Sequence, residues 1–345
     1  MVARLVLALV LAIVAGALVG VPPESAAQGR EVNVYSSRHY DTDDLIYTAF
    51  TGETGIKVNV IEGGEDQLVE RIRSEGANSP ADVLITVDAG RLWRAQQAGV
   101  LQPVSSATLQ ARVPANLRDP DGYWYGITKR ARVIMYSTER VNPADLSTYE
   151  ALADPRWRGK VLVRSSSHVY NQSLVGSMIE AIGAEATERW ARGLVANFAR
   201  RPQGADADQL KAIAAGEGDV AITNTYYLAR MAKSDNPADR AVAAVVAPFF
   251  PNQGDRGAHV NVSGGGVVGT SRNRDNAVAF LEFLTGDAAQ EIFARASNEY
   301  PVVAGVSLDP VLLAFGSFRE DSVNAARFGA NNPQALQIMD RAGWR

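Results

Sequence analysis

Four tyrosines in this 345-residue chain stand where apolar, strand-like runs give way to a helix or loop. Tyr40 ends Val34-Tyr35-Ser36-Ser37-Arg38-His39-Tyr40, and Tyr170 ends Arg164-Ser165-Ser166-Ser167-His168-Val169-Tyr170. Tyr226 and Tyr227 follow Ala221-Ile222-Thr223-Asn224-Thr225. In open α/β sheets such positions line the crevice beyond the strand ends, where ligands collect. Singly, a tyrosine is an ordinary amphipathic packing residue. Jointly placed, the four argue for a shared target. Neighbours on a regular helix point about 100° apart, so Tyr226 and Tyr227 converge only at a helix start. A core reading would bury one of the pair and leave the other half-exposed.

Gathered phenols suit a small, hard, trivalent cation such as ferric iron, which favours anionic oxygen, whereas thiolates and thioethers suit softer metals. A free phenol keeps its proton up to about pH 10, and a metal displaces it, so binding should release protons and weaken in acid. Four phenolates around Fe3+ leave one net negative charge, which guanidinium groups or helix N-terminal amides can offset. Arg38, beside His39, and Arg230, one turn beyond Tyr227, are candidates for that task, against a solvated surface role for each. His39 abuts Tyr40 and is the candidate fifth ligand, although adjacent residues often face opposite ways. His168 reads first as a capping or hydrogen-bonding residue of its serine-rich turn, and His259 as structural.

Other chemistries find little support. Without cysteine there are no disulfides, thiolate metal sites, lipoprotein anchor or cysteine nucleophile. Gly264-Gly265-Gly266-Val267-Val268-Gly269 matches G-x-G-x-x-G, but no helix opens at its end, which argues against a dinucleotide site. Neither G-x-S-x-G nor H-E-x-x-H occurs, and no nucleophile has a recognisable base, so the chain does not read as an enzyme. An exported hydrolase or lyase remains the alternative of a different class. The net charge of −4 is spread along the chain with no basic cluster, which gives no case for nucleic acid.

The elements that must position these residues begin after a removable secretory signal over 1–27. There Arg4 precedes an apolar run ended by Pro22 and Pro23, and Ser25-Ala26-Ala27 offers a cleavage site. Strands are expected over 31–36, 57–61, 83–87, 127–136, 160–164, 220–222 and 259–268. Helices are expected over 43–52, 66–75, 89–98, 170–182, 185–197, 226–232 and 276–285, with Asp41 or Thr42 capping the first and Asp88 the third. The alternation predicts α/β layers on a largely parallel sheet. The length suggests two lobes, 28–128 plus about 262–306 and about 129–261 plus 307–345, joined by crossing strands. A C-terminal tail should pack on the second lobe. Behind an export signal, this is the outline of a two-lobed periplasmic binding protein of type II, which closes like a hinge on a ligand in its cleft.

At these same residues the sequence resembles the ferric-ion-binding proteins of bacterial iron uptake, especially the Fut-type group. The stretches carrying the likeness are SSRHYDTD, EGANSPADVLITVD, TKRARVIMY, RSSSHVYNQSL, NTYYLARM and HVNVSGGGVV. The resemblance implies Fe3+ as cargo, held in the periplasm and delivered by a monomer to an ABC-type permease of the inner membrane. By motif position it places the family's tyrosine ligands on Tyr40, Tyr170, Tyr226 and Tyr227, and its histidine on His39. A binding protein of the same fold for an organic or anionic solute is the runner-up. The histidine at 168 departs from the family pattern.

Overall fold

In the computed structural model the described residues are 30–345 except 39 and 41. The expected signal over 1–27, the candidate ligand His39 and the candidate cap Asp41 lie outside them. Short β-branched runs alternate with amphipathic segments to give β1 (Glu31–Ser36), α1 (Asp43–Thr54), β2 (Lys57–Glu62), α2 (Glu65–Glu75), β3 (Val83–Val87) and α3 (Ala89–Gln97). The Asp88 side chain accepts from the Gly90 amide and caps α3 as expected. Thr42 stands at the start of α1 but makes no capping hydrogen bond.

After α4 (Ala107–Arg112) comes β4 (Tyr125–Ser137), whose 13 residues are nearly all buried. The chain continues through β5 (Val161–Leu162), α5 (Val169–Ile182), α6 (Ala184–Ala196), α7 (Asp206–Ala214) and β6 (Val220–Asn224). Then follow α8 (Thr225–Lys233), α9 (Pro237–Val245), β7 (Val246–Phe249), β8 (Val260–Val267), α10 (Arg274–Leu284) and α11 (Asp287–Ile292). Last are β9 (Tyr300–Pro301), α12 (Pro310–Ala314), α13 (Ala325–Ala330) and α14 (Asn332–Ala342). The strand expected over 160–164 shrinks to β5 because the chain leaves the sheet after Leu162 for the serine-rich turn. Among the described residues no helix is long and apolar enough to cross a membrane.

The strands run in the order β2-β1-β3-β8-β4-β6-β5, with β7 and β9 also pairing with β4. Here the expectation of a largely parallel sheet is corrected. The pairs β1/β2, β1/β3 and β5/β6 are parallel, whereas β8 against β3 and every partner of β4 are antiparallel. The cause is the two crossing strands, which enter each group against its βαβ direction. β4 changes neighbours midway: Ala131 still faces Val260 of β8, and Arg132 already faces Asn224 of β6. Within β8, Gly264 lies where a Cβ would meet the Tyr125 carbonyl oxygen at 2.7 Å, so its glycine serves close strand packing.

Two apolar clusters form the core. One is built on β1, β3 and β8, the other around Ile134, Trp157, Trp190 and Trp344. Trp344 is fully buried and donates from its indole to the Arg164 carbonyl at 3.0 Å, which fixes the C-terminus close to the turn leading to Tyr170. The helix α14 packs on α5 and α6, and α13 packs on both α3 and α5.

Candidate metal centre

Each tyrosine sits at a junction created by local backbone demands. Tyr40 lies in the loop between β1 and α1. Tyr170 opens α5, whose first turn is capped by His168: the imidazole Nδ1 accepts from the Tyr170 amide at 3.3 Å. Tyr226 and Tyr227 open α8 directly after β6, with Asn224 at the cap position.

The structure brings the four together. The Tyr170 and Tyr226 hydroxyls lie 3.3 Å apart. Two oxygens held about 2 Å from one metal ion at tetrahedral angles would themselves be about 3.3 Å apart. The rings of Tyr226 and Tyr227 stack at 4.3 Å and 29°, so at the helix start the adjacent pair does share one side. Arg230 ties Tyr40 to the pair, its guanidinium lying 4.5 Å from the Tyr40 ring and 4.8 Å from the Tyr226 ring. Arg38 covers Tyr40 at 4.5 Å while its Nε pairs with Asp43 at 3.0 Å and its Nη1 with Glu299 at 2.9 Å. Neither arginine is a bare surface residue, and each meets a ring face at the distance where cation and aromatic quadrupole attract.

Burial raises the pKa of all four phenols, and charge repulsion among them adds to it, while hydrogen bonds from Tyr226 pull Tyr170 and Tyr227 the other way. Tyr40 is pushed up to about 12 by burial and then by Glu299, against Arg38 and Arg230. Burial and then Tyr170 hold Tyr226 well above the ordinary range. Burial also lifts Tyr170, with Arg130 pulling the other way, and burial followed by Asp206 lifts Tyr227. Without a cation the cluster is therefore a set of neutral phenols.

Sequence reasoning missed the charges beneath the rings. Arg130, Arg132 and Arg164 approach the Tyr170 ring at 5.3, 5.9 and 5.6 Å. Arg132 forms a fully buried pair with Asp206 at 2.9 Å and donates to the side-chain oxygen of Asn171 at 2.7 Å and of Asn224 at 3.2 Å. It thereby fixes the residue after Tyr170 and the cap before Tyr226 at once. Burial would raise Glu299, but Arg38 and Arg130 outweigh it and hold the carboxyl below its usual range. Arg130 and Arg132 are the signal that was available: alternate positions of one strand face one side, and KRAR sits on β4 where the chain crosses. Among the described residues, no group of three or more His, Asp or Glu side chains could hold a metal ion.

His168 has its Nδ1 engaged as a cap and packs edge-on against Tyr170 at 4.4 Å, so it supports that residue. Burial, then Arg164, pushes its pKa down to about 3. The folded protein refuses a proton that the unfolded chain accepts, so stability is full above about pH 6.5 and falls as pH drops toward 3. His168→Ala is expected to cost about 1 kcal/mol at pH 7 through the lost cap and to flatten part of that acid slope, as read by thermal melts across pH. His259 is buried, packs against Phe328 and is likewise pushed to about 3 by burial, as a structural residue would be.

Residues 78–313 match the family model for bacterial extracellular solute-binding proteins. The chain is 56% identical over 336 residues to iron uptake protein A2 of Synechocystis sp., covering 97% of this chain and 96% of that protein. It is 31% identical over 328 residues to the Fe(3+)-binding periplasmic protein of Serratia marcescens, covering 94% and 93%. A solved Trichodesmium structure, IdiA or FutA in complex with iron and citrate ligands, matches with a TM-score of 0.90 at 58% identity. It covers 91% of this chain and all of that one.

Proposed function

The chain belongs to the bacterial extracellular solute-binding proteins, in their ferric-ion-binding branch, and from this we propose that Tyr40, Tyr170, Tyr226 and Tyr227 bind one Fe3+ as phenolates. The protein is a carrier for iron uptake and not an enzyme. It captures ferric iron in the cleft of a two-lobed type II fold and passes it to an importer of the ABC type. The finer assignments are a periplasmic monomer, exported by the signal over 1–27, that docks on a permease of the inner membrane. His39, next to Tyr40, is the fifth ligand, with Arg38 and Arg230 balancing charge. The lobes are 28–128 plus about 262–306 and about 129–261 plus 307–345, a division supported by the change of partners along β4.

One observation carries this reading: the 3.3 Å approach of the Tyr170 and Tyr226 hydroxyls, with Tyr227 stacked alongside and Arg230 reaching Tyr40. Neutral phenols pressed together gain little from one another, whereas a hard trivalent cation converts all four into ligands. The arginines offset the −1 charge that four phenolates leave around Fe3+.

Apoprotein mixed with ferric citrate and passed through gel filtration should retain about one iron per chain and gain a visible phenolate-to-iron band. An organic solute would give neither. Since the bound phenols start protonated, loading should release about one proton per tyrosine engaged, measured as the base needed to hold pH. Affinity should fall about tenfold per pH unit for each proton released, so iron is held better at pH 8 than at pH 6. Loading without proton release would contradict phenolate ligation.

A further inference from the structure

We infer that Asp88 is a positioning residue for the tyrosine cluster: it ties the helix that carries Tyr170 to the junction of β3 and α3. The inference rests on the ferric-ion reading and adds a residue from beneath the site. Asp88 is fully buried and takes a backbone conformation, φ 84 and ψ 127, that L-residues rarely adopt. Such a conformation survives only where its surroundings over-determine it.

The surroundings here are donors. One carboxylate oxygen of Asp88 accepts from the Gly90 amide at 2.8 Å and from the Ser173 hydroxyl at 2.6 Å. The other accepts from the Asn261 side-chain amide at 2.8 Å, while the Asp88 amide donates to the Val262 carbonyl. The orientation of Asn261 is set from behind, because its own oxygen accepts from the amides of Ala89 and Val262. Position 88 therefore faces three donors, and a carboxylate alone offers acceptors to all of them.

Ser173 lies three residues beyond Tyr170, on the same face of α5, so whatever holds Ser173 holds the start of that helix. The Asp88–Ser173 contact thus runs from the junction of β3 and α3 to helix α5, and the same carboxylate is held by Asn261 of the crossing strand β8. The packing around it is built for close approach. α13 is wedged between α3 and α5, and a Cβ at Gly176 would meet the Phe328 carbonyl oxygen at 2.5 Å, while one at Gly329 would meet the Ala89 carbonyl oxygen at 3.0 Å. Asp88 sits inside this close-packed block and joins its two sides through Ser173.

The test is iron release to an excess of a competing chelator, followed by loss of the visible band, for wild type, Asp88→Gly, Ser173→Ala and the double variant. Gly at 88 tolerates the positive φ and removes the carboxylate, and Ala at 173 removes the hydroxyl. Each single variant should release iron about 10-fold faster, and the double should be no faster than the quicker single, because the contact to Ser173 is already gone once the carboxylate is removed. Apoprotein melting reports any purely structural loss, which by itself would leave the release rate unchanged. Release within about twofold of wild type from folded single variants would overturn the inference, and so would effects that multiply in the double. Should Asp88→Gly not fold, Ser173→Ala decides alone by the same criterion. A wild type that takes up no iron would instead bring down the ferric reading and this inference together.

Discussion

Tyr226→Phe should abolish or strongly shift the visible band and weaken ferric binding by more than about 100-fold while the protein stays folded. The bound is conservative, since removing a group that merely supports a metal ligand already costs about 10–100-fold. Tyr226 is the right place to look because its ring and its hydroxyl do separable things. The ring is buried and stacks on Tyr227, contacts that phenylalanine keeps. The hydroxyl meets the phenols of Tyr170 and Tyr227, and its loss should change apoprotein stability by about 1 kcal/mol or less. Unchanged iron affinity in a folded Tyr226→Phe protein would remove the central ligand of the account.

The second large effect is on the scaffold. Asp206→Ala should destabilise the protein by about 3–5 kcal/mol in denaturant unfolding, because Arg132 would stay buried without its counter-charge. Asp206 and Arg132 are both fully buried, and Asp206 also accepts from the Asn224 amide at 3.1 Å and pairs with Arg164 at 3.4 Å. Burial would raise the Asp206 carboxyl, but Arg132 and Arg164 outweigh it and hold it below the usual range. The pair's stabilisation is therefore present above the ordinary carboxylate range and lost as pH falls through the lower, folded-state value. Because Arg132 also holds Asn171 and Asn224, the variant should lose iron affinity together with stability. A loss of stability with iron affinity untouched would show that the tyrosine helices are held by other contacts.

The tyrosines were readable in the chain because strand ends are conspicuous: an apolar run stops, a serine or asparagine turn follows, and the aromatic residue stands just beyond. The capping role of Asp88 was readable for the same local reason. Its reach to Ser173 was not, since nothing in the sequence relates residues 85 positions apart. The arginines beneath Tyr170 had one legible sign, the alternate placement of Arg130 and Arg132 on a strand, but in an arginine-rich chain only the fold sorts the buried ones from the rest. Sheet direction was misread for a topological reason: apolar periodicity identifies β4 and β8 as strands but is blind to which way a crossing strand runs. Thr42 looked like a cap by residue type, yet it makes no capping bond at the start of α1.

The most direct test is an anomalous-scattering map, recorded at the iron absorption edge, from crystals of the iron-loaded protein. The account predicts a single peak within bonding distance of the phenolic oxygens of Tyr40, Tyr170, Tyr226 and Tyr227. An iron peak elsewhere on the chain, or one touched by fewer than three of those oxygens, would contradict it.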